Sequence, residues 1–106
     1  MYFLMRCLHH SGMDAKRDIH RAEHRDWVKS GGDGLAAVLI GAALVDDNGA
    51  SIGNFGILEA KDMESARGFA EGDPFARAGI VETIELTPLP DTFQAHRITD
   101  TMSVLK

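Results

Sequence analysis

The sequence has 106 residues, 44% of them apolar and 25% charged, with a net charge of −5 at pH 7. That length predicts one domain with a modest core, and the composition excludes extensive disorder. The acidic balance argues against a nucleic-acid partner, because phosphate binding needs concentrated cations, and the basic residues between Arg6 and Lys29 are interleaved with acids.

Residues 2–9 read as a first strand, a short apolar run suited to a central position in a sheet. Cys7 lies within it and is the single cysteine, so no intrachain disulfide and no cysteine-based zinc site is available. It reads as a buried small hydrophobe. The N-terminal run is too short for a membrane span and lacks the basic lead and cleavage site of a signal peptide. Asp14 is placed to cap a helix over 15–30, which Ser30-Gly31-Gly32 ends. The core-facing positions 20, 24, 27, 28 and 31 carry His20 and His24 at one end and Trp27 and Val28 at the other. Such a helix packs at its C-terminal end and offers polar groups to a cleft at its N-terminal end.

A second strand is predicted over 36–46. The longest apolar stretch, "LAAVLIGAALV" (35–45), is about half a membrane span. A cytoplasmic protein that does not engage a membrane is therefore expected. Asp47-Asn48-Gly49 makes a tight turn into a third strand over 51–60, where Gly53 and Gly56 suggest a bulge or close backbone approach. Asp62 caps a second helix to about residue 71, with Met63, Ala66, Phe69 and Ala70 facing the core. Gly72-Asp73-Pro74 breaks it, and Pro74 opens one short helical turn. Residues 80–87 form a fourth strand, with Ile80, Ile84 and Leu86 on one face. Pro88-Leu89-Pro90 marks the end of the compact unit, 1–89. The tail, 90–106, holds a possible strand at "FQAHRI" (93–98) and either reaches a neighbouring subunit or is loose.

The order strand, helix, strand, strand, helix, strand is the α+β, ferredoxin-like βαββαβ plan, a four-stranded antiparallel sheet with both helices on one face. The other face needs cover, which a second copy would supply.

Several residues have the chemistry for a site. His24, at the polar end of the first helix, suits a general acid or base near neutral pH; a half-buried histidine bonded to a backbone carbonyl gives the same pattern. Asp73 adds nothing to a plain helix stop. Beside a histidine, its carboxylate would orient the ring; an aspartate ahead of proline is also an ordinary turn. His20 and His24 have the spacing of two metal ligands on a helix. His9 or His10 is the available third, but no third ligand stands at a recognisable spacing, so no metal is assigned. Arg17 and Arg21 suit a substrate carboxylate or phenolate, or are solvated helix charges. Phe75 suits either a pocket wall or the core.

"RAEH" (21–24), then "GG" and a hairpin, then "ESARGFAEGDPFARAGI" (64–80) leading into "VETIEL" (81–86), resembles the YciI-like (YCII-related) family of small bacterial proteins over roughly residues 2–89. The resemblance implies a ferredoxin-like domain that pairs through its sheet into a dimeric α+β barrel. The family's marker histidine and aspartate fall on His24 and Asp73. A related branch comprises dehydrochlorinases acting on chlorinated hydroxyhydroquinones, and the wider superfamily includes muconolactone isomerases. The resemblance thus implies proton transfer by a His/Asp pair, without a cofactor, on a small phenolic, lactone or anionic substrate. Arg21, Arg17 and Phe75 are the expected substrate contacts. The alternative is a non-catalytic small-molecule binding or regulatory module on the same dimeric scaffold.

Overall fold

The computed structural model describes residues 1–104. Its elements are β1 (Tyr2–His9), α1 (Asp14–Gly34), β2 (Ala36–Val45), β3 (Ser51–Ala60), α2 (Met63–Gly72), α3 (Pro74–Arg77) and β4 (Val81–Leu89). The four strands form one antiparallel sheet in the order β2-β3-β1-β4. This is the ferredoxin-like plan expected from the element order.

Strand alternation sorts the sheet into two faces. Phe3, Met5 and Cys7 of β1 and Leu58 and Ala60 of β3 point to the helices, where Ala66, Phe69 and Ala70 of α2 complete the core. The opposite face carries Leu4, Leu8, Phe55 and Ile57, all half-buried, beside the exposed Ile40.

Four local expectations need correction. Asp14 does not cap α1: Met13 holds the cap position with no side-chain bond, and the Asp14 carboxylate accepts from Arg17 instead. β4 runs to Leu89, two residues beyond the expected strand end at 87, so Pro88 lies inside it opposite Phe3. Proline is tolerated there because β4 is an edge strand, where one side of the backbone has no ladder partner. A register shift between Leu8 and His9 places Val81 opposite His9, so Val81 joins Ile84 and Leu86 against the core while Ile80 is buried just outside the strand. The segment 93–98 is not a strand. It holds a 3-10 turn, Ala95–Arg97, closed by the amides of Arg97 and Ile98 onto the carbonyls of Gln94 and Ala95. Six residues of mixed polarity carry no decisive strand pattern, and this segment enters none of the sheet's ladders.

Two glycines make the turn out of α1. Gly31 and Gly32 adopt φ of 63° and 62°, and an added Cβ at Gly31 would lie 2.0 Å from the Ala36 carbonyl oxygen. The described tail returns to its own domain. Ser103 is buried; its Oγ donates to the Val28 carbonyl (2.6 Å) and accepts from the Val38 amide (2.7 Å). The tail thereby ties α1 to β2 and covers part of that strand's outer edge.

Candidate active site

α1 and the α2–α3 break meet over one end of the sheet. Asp62 caps α2 by accepting from the Ser65 amide (2.8 Å). At the far end of α2, the Gly72-Asp73-Pro74 step lets the chain start α3 at once. The Asp73 Oδ1 caps it by accepting from the Phe75 amide (2.8 Å). That cap holds the carboxylate in a fixed direction, toward α1.

His24 stands there. Its Nδ1 lies 2.9 Å from Asp73 Oδ1 and 2.8 Å from Oδ2. A carboxylate only accepts, so Nδ1 carries the proton and donates. Nε2 has no hydrogen-bond partner among the described residues. The imidazole stacks on the Phe75 ring, with centroids 4.1 Å apart and planes 3° from parallel. Asp73 is 6% exposed, so the bond is shielded from solvent.

The dyad lines a cavity of about 260 Å³. The expected dyad and the three expected substrate contacts all line it: His24, Asp73, Arg17, Arg21 and Phe75. Arg17 is buried and donates to His9 Nδ1 (3.0 Å), to Asp14, and to the Ser51 carbonyl (3.4 Å). Arg21 is half exposed and pairs with Asp18 at 3.0 Å. A larger open groove of about 1250 Å³, bordered by Lys29, Ala36 and Val104, holds none of these residues.

His20 stays outside this cavity. Its Nδ1 is enclosed without a hydrogen-bond partner among the described residues, and Glu23 lies 3.9 Å away. His10 faces Glu82 at 3.3 Å. Among the described residues, no three His, Cys, Asp or Glu side chains are grouped to hold a metal ion.

Asn54 and Arg25 also line the cavity without having been expected there, and His9, weighed in the sequence only as a third metal ligand, lines it too. His9 continues the alternation Phe3, Met5, Cys7, and Asn54 continues Ala60, Leu58, Gly56. Both were legible as core-side positions had the strands been read by alternate residues. Arg25 follows Arg17 and Arg21 at four-residue spacing on one stripe of α1. Burial holds the His9 pKa below its ordinary 6.5. The nearby Arg17 and His24 act in the same direction, against the Asn54 hydrogen bond, which raises it. Burial, helped by Asp73, pushes the Cys7 thiol up to about 12, which makes it inert.

A family model described as the YCII-related domain matches residues 1–90. The chain belongs to the YCII-related family. No curated protein sequence matches it significantly. Among solved structures it is similar to the 5-chloro-2-hydroxyhydroquinone dehydrochlorinase TftG from Burkholderia phenoliruptrix, in complex with 2,5-dihydroxybenzoquinone. That likeness has a TM-score of 0.72 at 22% identity and covers 85% of this chain and 94% of the other. At that identity it speaks for the fold. Among the described residues of this YCII-related protein, no helix is long and apolar enough to cross a membrane.

Proposed function

We propose that this YCII-related protein is a cytoplasmic, cofactor-independent acid–base enzyme in which His24 Nε2 moves a proton on a small phenolic, lactone or anionic substrate. The observation that carries this reading is the His24–Asp73 bond. It commits Nδ1 as donor and leaves Nε2 as the acceptor available in the cavity wall. Asp73 orients the ring and stabilises the imidazolium that forms, and Phe75 fixes the ring plane. Arg17 and Arg21 supply positive potential for an anionic substrate. The cavity has room for one small ring, and the similar dehydrochlorinase binds such a ring, which supports elimination or isomerisation as the reaction type. The half-buried apolar sheet face supports pairing of two copies.

The test is chloride release from a chlorinated hydroxyhydroquinone, and ring isomerisation of a lactone, by wild type and by His24→Gln. Turnover that disappears in the variant supports the reading. Turnover of neither substrate, or turnover that survives the substitution, sinks it.

A further inference from the structure

The cavity holds a second histidine that the dyad does not use. His9 Nδ1 stands 3.0 Å from an Arg17 terminal nitrogen, and His9 Nε2 stands 2.8 Å from Asn54 Oδ1. A guanidinium has no acceptor, so Nδ1 must accept and the ring proton sits on Nε2. Nε2 then donates to the Asn54 oxygen. The amide is thereby oriented: its oxygen is turned to His9, and Nδ2, with two N–H bonds, forms its other edge.

Nδ2 has no hydrogen-bond partner among the described residues. Nor is it sealed from solvent: the enclosed side-chain nitrogen or oxygen without a partner there is His20 Nδ1. Asn54 lines the cavity. His9 meets Phe75 edge-on, with centroids 5.8 Å apart and planes at 87°, while His24 stacks on the same ring. The imidazole that orients the amide and the imidazole of the dyad thus pack on one phenyl group.

We propose that Asn54 Nδ2 is the oxyanion donor of this cavity, with His9 and Arg17 as the positioning residues that aim it at a phenolic or enolic oxygen of the substrate. This rests on reading the cavity as the reaction site. When His24 Nε2 takes a proton from a substrate hydroxyl, or from a carbon beside a carbonyl, His24 becomes imidazolium. The electron pair of the broken bond ends on the substrate oxygen. A neutral N–H already aimed at that oxygen bonds it more strongly as the charge develops, without reorganisation. The three donors stand in series with a cation at the head, so each bond polarises the next. Arg21 and Arg25 add positive potential to the same cavity.

The experiment uses 4-nitrophenol, whose phenol and phenolate absorb differently, and its methyl ether 4-nitroanisole. Wild type binds 4-nitrophenolate more tightly than the ether. Asn54→Ala weakens phenolate binding by about tenfold or more, the weaker end for a hydrogen bond to a charged acceptor, and leaves the ether unchanged. His9→Phe loses part of the phenolate preference with the ether unchanged, whereas a merely structural role would weaken both ligands alike. Absence of a phenolate preference in wild type, or its survival in Asn54→Ala, overturns the proposal. Independently of any variant's folding, ¹⁵N imidazole spectra of wild type at alkaline pH place the His9 proton on Nε2; a proton on Nδ1 overturns it as well. Turnover that survives His24→Gln beside an Asn54-dependent phenolate preference counts against the proton-transfer reading alone, and turnover lost in His24→Gln with no such preference counts against Asn54 alone.

Discussion

Asp73 is tied to two partners, and two substitutions separate them. Asp73→Ala removes both the α3 cap on the Phe75 amide and the acceptor of His24 Nδ1. Loss of a cap costs about 0.5–2 kcal/mol, and leaving buried partners unsatisfied costs about 1–3 kcal/mol more. A destabilisation of about 1.5–5 kcal/mol is expected, read as a lower urea midpoint at unchanged slope. Asp73→Asn keeps an oxygen for the Phe75 amide but turns an NH₂ toward His24. The imidazole can then bond only by accepting at Nδ1, which moves its proton to Nε2 and removes the free base from the cavity. The stability loss is within about 1 kcal/mol, since the cap survives, while turnover falls about 10²–10⁴-fold. Long-range ¹H–¹⁵N spectra of the neutral ring report the tautomer without any substrate: Nδ1–H in wild type, Nε2–H in Asp73→Asn. An unchanged tautomer in the variant would refute the reasoning, whatever happened to activity.

Gly72→Ala places a Cβ 2.7 Å from Trp27 Cζ2 and 2.9 Å from Cη2; overpacking of about 1–3 kcal/mol outweighs the better helix propensity of alanine, and urea titration followed by Trp27 fluorescence measures it. With its thiol pKa at about 12, Cys7 carries about one thiolate in ten thousand at pH 8; a chromogenic thiol reagent labels it only after denaturation, and fast labelling of the folded protein would contradict its burial. The lowered His9 pKa carries a sign: as pH falls below 6.5 the unfolded chain takes up a proton that the folded ring resists, so stability drops through that window and is unaffected above it. Urea midpoints at pH 7.5 and 5.5 fall further apart in wild type than in His9→Phe. Light scattering of the wild type gives twice the chain mass, and Ile57→Glu, on the open sheet face, gives the monomer; a wild-type monomer at 50 µM or so would remove the sheet-paired dimer.

Element order and type follow from local patterns, so they were legible in the chain. Glycine and proline punctuation, the Asp62 cap and the apolar runs each act within a few residues, and they place the ferredoxin-like plan without reference to packing. The Gly72-Asp73-Pro74 step was legible for a related reason: its aspartate exceeded what a helix stop needs, and the excess pointed outward to a partner. Which side chains meet is a different matter. His20 and His24 share a helix face, yet only His24 reaches the cavity, because Asp73 and Phe75 arrive there from a segment about fifty positions away. His9, Asn54 and Arg17 lie on three separate elements, and their hydrogen-bonded series exists only once β1 and β3 pair under α1. The tail is the clearest case. Residues 93–98 have a pattern compatible with a strand, but they close on themselves in a 3-10 turn, and Ser103 finds its partners at Val28 and Val38. Local sequence sets what each segment prefers to be; the docking of those segments, with every buried polar group needing a partner, sets which residues share a site.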